Sequence, residues 1–189
     1  MTKKQLEAIR EQIATGVARA AEELRRTHSA DAELRVGRTG ICVLCELPTE
    51  AVCEHNDISA SVMLGFRGTF WGTALLVMDP HQALAWIRSS ESPGDPIEVF
   101  LHLGRTVLEE ALVALAEGFR SHVEIGDASL EEQSVLTTLL ATHAPPDTVI
   151  LSADLGIQCS DRMLAASLFV LLDQKLLLTL LRNLASQAD

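Results

Sequence analysis

Apolar residues recur at three- and four-residue steps through Leu6, Ile9, Ile13, Val17, Ala20 and Leu24. At 3.6 residues per turn these positions gather on one helical face. The layout returns 91 residues on, where IEVFLHLGRTVLEEALVAL follows the template of LEAIREQIATGVARAAEEL. A pattern of this length written twice predicts a protein built from two similar halves. On the outward side of the first copy stand Glu7, Glu11 and Ala14, and at the same offset in the second stand Glu98, His102 and Arg105.

The first helix is expected over residues 4–27, giving way at His28-Ser29-Ala30-Asp31. Alternating and β-branched stretches at 33–47, 58–67 and 73–78 predict strands, separated by Pro48, Asn56 and the glycines of 68–72. Asp79-Pro80 opens a short helix at 81–88, with aspartate as N-cap and proline at the first helical position. Residues 89–96, SSESPGDP, are the one linker-like run. Beyond it, 97–119 repeats the long helix and 129–141 is expected as a further helix, stopped by Pro145-Pro146. Paired strands follow at 148–157 and 163–172, and Asp173 opens a last helix to 185. The ends of the halves match as LLVMD at 75–79 and FVLLD at 169–173, with Leu84 and Leu178, then Ile87 and Leu181, at equal steps. Strands in succession favour an antiparallel α+β sheet over a doubly wound parallel one, with the two long helices on one face. The expected organisation is a single domain, 1–189, of repeats at about 4–88 and 97–186 joined by 89–96.

The chain has 189 residues, 48% of them hydrophobic, enough for one domain with a sizeable core. Its formal net charge of -11 excludes a nucleic-acid binder, which needs a basic patch, and favours a cationic-faced partner. The amino terminus runs into a Glu- and Arg-rich helix rather than a signal peptide, so a cytoplasmic protein is expected. Residues 164–181 are very apolar, but Asp173, Gln174 and Lys175 interrupt them before the roughly 20 unbroken residues of a membrane span. They read as a strand turning into a helix.

Cys42, Cys45, Cys53 and His55 have nearly zinc-like spacing, and Cys159 completes the cysteines. A strand through 41–47 would send Cys42 and Cys45 to opposite faces, so buried small hydrophobes are the favoured reading over a metal. Neither a nucleophile elbow nor a phosphate-binding glycine loop occurs, and no cofactor is expected. Phe70 and Trp71 stand in a glycine-flanked turn, where at least one is expected to fold onto the core; an exposed aromatic there would suit an interface. Trp86 reads as core.

The repeated architecture, together with Gly16, Ala20-Ala21-x-x-Leu24, Leu47-Pro48, GFRGTFWGTALLVMD at 65–79 and the terminal strand-helix pattern, resembles the CheC-like chemotaxis phosphatases, including CheX and FliY. The resemblance runs nearly the whole chain. It implies active helices carrying Asp/Ser-x3-Glu-x2-Asn, in which Glu docks the response regulator CheY and Asn positions the water that attacks its aspartyl phosphate. Here those positions read Glu7-x3-Glu11-x2-Ala14 and Glu98-x3-His102-x2-Arg105. An aspartyl phosphate is labile, so a hydrolase needs little beyond a fixed water and a correct approach. A carboxamide, which both donates and accepts, suits that task. Alanine offers no polar atom, and arginine offers a phosphate clamp without directing a nucleophile. Gln12 lies about 100° around the helix from Glu11.

The resemblance therefore implies a binding protein without family-type phosphatase activity. It would recognise a CheY-like receiver domain or a CheD-like protein through Glu7, Glu11, Glu98 and Arg105, with neither nucleic acid nor membrane as partner. Two alternatives stay open: an active phosphatase in which Gln12 or Arg105 takes the amide's role, and a dimerisation module. Against all three stands the plain reading of Glu7 and Glu11 as solvated residues complementing the helix dipole, and of Arg105 as an i,i+4 partner of Glu109.

Overall fold

The computed structural model describes residues 3–27, 32–46, 58–133, 142, 144–159 and 162–185. In chain order the elements are α1 (Lys3–Thr27), β1 (Ala32–Val43) with a 3-10 turn at Leu44–Glu46, β2 (Ser59–Gly68), β3 (Gly72–Met78) and α2 (Pro80–Ser89). The second series is α3 (Pro96–Gly118), β4 (Val123–Gln133), β5 (Val149–Cys159), β6 (Arg162–Leu172) and α4 (Gln174–Ala185). All six strands join one antiparallel sheet in the order β1-β5-β6-β3-β2-β4, which is the expected α+β class.

The capping signals act as read. Asp79 Oδ1 accepts from the His81 and Gln82 amides at 2.8 and 3.2 Å, and Asp173 Oδ1 accepts from Lys175 and Leu176 at the same two distances. Each aspartate satisfies helix N–H groups that lack an intrahelical partner. Asp79→Ala is expected to cost about 1 kcal/mol, visible as a lower urea midpoint at unchanged slope.

The strand registers carry a pseudo-twofold. At the centre Leu75 faces Phe169; on one side Gly72 faces Leu172 and on the other Met78 faces Ala166, so the pairing reads alike from both ends. Each half sends its first strand to the far side, β1 against β5 and β4 against β2. Both outer strands carry a bulge at the corresponding place: Gly37 and Arg38 oppose Asp154, and Gly126 and Asp127 oppose Gly65. Bulges of this kind twist an edge strand and discourage further pairing.

Alternation along the strands separates two faces. Val62, Leu64, Ala74, Leu76, Leu151, Ala153, Leu168 and Val170 share one core with Ile9, Ile13 and Val17 of α1 and with Leu103, Val107 and Leu108 of α3. Trp86 of α2 and Leu177 of α4 enter the same core, so all four helices lie on that face. A smaller cluster of Leu75, Val77, Ile150 and Leu171 forms on the opposite face.

Two expected elements are corrected. The strand expected over 33–47 ends at Val43 and passes into the 3-10 turn, where the Leu44 and Cys45 amides donate to the Thr148 and Pro146 carbonyls at 2.8 and 3.1 Å instead of extending the ladder with β5. Residues 129–133 do not begin a helix: β4 covers them, with Ser59 opposite Gln133 and Val62 opposite Leu130. Pairing to β2 overrides the weak local preference of a Glu-, Asp- and Gly-containing stretch. The remainder of the expected helix, 134–141, lies outside the described residues, as do Pro48, Cys53 and His55.

Candidate functional site

The buried stripe of α1 turns Glu7, Glu11 and Ala14 outward, and all three are exposed. On α3 the burial of Val99, Phe100, Leu103 and Val107 leaves Glu98 and His102 exposed and Arg105 half-buried. Gln12 near the start of α1 lies against Gly118 at the end of α3, whereas Glu23 near the end of α1 feels His102 early in α3. The two helices therefore run antiparallel. Each motif trio occupies the first half of its own helix, so the structure holds the trios at opposite ends of the pair. They form two separate surfaces.

At the first surface Glu7 pairs with Arg10 at 3.6 Å. It stands one turn inside α1, which begins at Lys3, so its gain from the helix dipole is small. Thr15, next to Ala14, donates its hydroxyl to the Glu11 carbonyl at 2.8 Å. Gln12 is half-buried with its side chain against Gly118. Neither presents its polar group beside Glu11 in the place an amide at position 14 would take. At the second surface Arg105 Nε lies 3.4 Å from Glu109 Oε2, the i,i+4 pair that its spacing allows, and Thr106 donates to the His102 carbonyl at 2.9 Å.

Between the surfaces the helices exchange charge across their seam. Arg19 Nη2 and Glu117 Oε2 are 2.8 Å apart, and this hydrogen bond holds the Glu117 carboxyl below its ordinary range. Glu110, half-buried at the crossing, is shifted the other way: desolvation raises its pKa, Arg19 opposes, and Glu109, Glu23 and Glu117 add to the rise. A carboxyl whose folded pKa is raised binds its proton more tightly in the folded state. Its contribution to stability therefore falls as pH rises from its unfolded pKa through the raised value. Glu110→Gln is expected to flatten that part of the stability-pH curve and to leave the protein more stable at neutral pH, as thermal unfolding across the acid range would show. Sequence periodicity gave no signal for this seam, because its partners come from helices far apart in the chain.

The aromatic turn splits its roles. Phe70 is 1% exposed and meets Phe66 edge-on at 5.3 Å, while Trp71 is 53% exposed. Trp86 is buried against Phe100 at 6.2 Å, as core. Cys159 is buried, which pushes its thiol up, and Cys42 is half-buried in β1, whereas Cys45 departs from the expected buried role: β1 ends at Val43 and the 3-10 turn leaves it exposed. Among the described residues no group of three or more His, Cys, Asp or Glu is placed to hold a metal ion. Among the same residues no helix is long and apolar enough to cross a membrane.

No family model and no curated protein matches the sequence. Solved structures do match. FliY of Thermotoga maritima superposes with a TM-score of 0.70 over 98% of this chain and 98% of its own, at 11% identity. The FliM middle domain from H. pylori gives 0.63 over 97% and 99%, at 13% identity. The CheX-CheY-BeF3-Mg+2 complex from Borrelia burgdorferi gives 0.51 over 84% and 96%, at 12% identity. With its six-stranded antiparallel sheet and paired long helices, this chain has the fold found in FliY, the FliM middle domain and CheX, the fold that the resemblance in its sequence implies.

Proposed function

We propose that this chain is a chemotaxis-type binding module, acting in the cytoplasm, that docks a CheY-like receiver domain through Glu7 and Glu11 without hydrolysing its phosphate. The observation that carries the reading is the exposed row Glu7, Glu11, Ala14 on α1: two carboxylates where the resemblance puts docking residues, and a methyl where it puts the amide. Nothing adjacent supplies the missing group, since Thr15 is tied to the backbone and Gln12 leans on Gly118. A structural neighbour of the CheX type is held in a complex with CheY, which supports a receiver as the partner. A CheD-like protein is the second candidate. The repeats proposed at about 4–88 and 97–186 give the chain a second surface, Glu98, His102 and Arg105. We assign it secondary contacts, because Arg105 is engaged by Glu109.

The test measures phosphate loss from a panel of phosphorylated receiver domains with and without this protein, alongside pull-down of the same panel. Binding of one receiver without acceleration, abolished by Glu11→Ala, is the expected result. Acceleration that disappears in Glu11→Ala would show an active phosphatase, and the absence of any bound receiver would remove the reading. Sedimentation over a concentration range tests the dimerisation alternative, which requires a concentration-dependent dimer.

A further inference from the structure

Where β2 turns into β3, that turn is stitched to the turn between α3 and β4. The Thr69 amide donates to the His122 carbonyl at 3.0 Å, the His122 amide donates to Thr69 Oγ1 at 3.2 Å, and Arg67 Nε donates to Glu124 Oε2 at 3.0 Å. Arg67, Trp71, Arg120 and His122 are all exposed around this junction. Arg120 sits at φ 51, a left-handed conformation that L side chains disfavour. β5 and β6 pair up to Cys159 opposite Arg162, while β2 and β3 stop pairing at Phe66 opposite Gly72 and leave residues 67–71 to the turn.

An exposed indole is unusual in itself, and its setting is more so. On a chain of net charge -11, the two turns that carry Trp71 also carry Arg67, Arg120 and His122 against Glu124, a local excess of one positive charge with histidine counted neutral. The Arg67–Glu124 pair is solvent-exposed and worth little, so it leaves the arginine available to a competing carboxylate. Tryptophan and arginine are also the side chains that most often dominate binding energy at interfaces.

We propose that this junction docks an acidic polypeptide segment, with Trp71 as the apolar anchor and Arg67, Arg120 and His122 facing the segment's carboxylates. The occupant is short and acidic because the cationic patch is confined to these two turns. A long polyanion or an anionic membrane would meet the negative remainder of the surface. The proposal is independent of the receiver-docking reading, since it uses neither Glu7 nor Glu11.

The full chain contains two tryptophans, and Trp86 is 1% exposed, so a change in emission on titration reports Trp71. An oligoglutamate peptide is expected to shift that emission to the blue, saturably, with an affinity that falls as salt is added. Anisotropy of the labelled peptide gives the same binding curve for variants. Arg120→Glu combined with His122→Glu is expected to weaken binding at least tenfold, on the order of a lost set of interfacial charge contacts, and Trp71→Ala by a similar factor. Both changes lie in exposed turns, and far-UV circular dichroism checks that the fold is kept. Four results would overturn the proposal: no binding of oligoglutamate, equal binding by the charge-reversed variant, preferential binding of oligolysine, or binding of phosphatidylglycerol vesicles without the peptide.

Discussion

Gly16→Ala is expected to destabilise the protein by about 2 kcal/mol, although alanine is the better helix former by about 1 kcal/mol. Gly16 is buried at the crossing of α1 and α3, where a methyl would lie 2.5 Å from the Glu110 carbonyl oxygen and 2.6 Å from the Ala111 Cα. Both are backbone atoms of a packed helix, so no side chain can swing aside. Overpacking a core costs typically about 1–3 kcal/mol, and a clash with backbone belongs at the upper end of that range, which outweighs the gain in helix propensity. For a chain of this size the melting temperature should fall by roughly 4–8 °C. Gly16→Leu is expected to prevent the helices from docking at all. Gly65→Ala supplies the control: nothing lies within 4 Å of a methyl there, and the variant should match or slightly exceed wild type. Unchanged stability in Gly16→Ala, measured by calorimetry, would show that the helices do not cross at this glycine.

Ala14→Asn is expected to confer phosphatase activity on a receiver that the wild-type protein binds without hydrolysing. Position 14 is exposed, three residues after Glu11 on the same outward row, and an asparagine there completes the Glu-x2-Asn spacing that the resemblance implies. A carboxamide held beside a docked aspartyl phosphate donates one hydrogen bond and accepts another, which fixes a water for in-line attack. Phosphate loss is expected to rise by at least about tenfold over wild type, a small part of what correct positioning can supply. Helix propensity makes the substitution cost no more than about 0.7 kcal/mol, so the variant should fold. Adding Glu11→Ala should abolish the gain by removing the docking contact. Intact binding with no acceleration would mean that the proposed lack of hydrolysis does not rest on Ala14 alone.

Both effects concern α1, where sequence periodicity was most legible. A face written as Leu6, Ile9, Ile13, Val17 needs only the helix repeat to be read, and the aspartate caps at 79 and 173 need only their neighbours in the chain. The outward positions of Glu7, Glu11, Glu98 and His102 follow from the same local rule. β4 was not legible for the opposite reason. Gly126, Asp127 and three glutamates form poor strand sequence, and what makes them a strand is the ladder they share with β2, a segment far away in the chain. The choice between Phe70 and Trp71 was equally hidden, because it depends on Phe66 waiting beneath the turn.

Helix faces, caps, the repeated order of elements and the absence of an amide from both motif copies are therefore written in the chain, since each depends on residues within a few turns of one another. The tertiary structure alone decided that α1 and α3 run antiparallel and hold the two motif trios apart, that Arg19 and Glu117 close the seam, and that each half lends its first strand to the other. Those outcomes are set by packing and pairing between segments distant in sequence, whose energies no local pattern records.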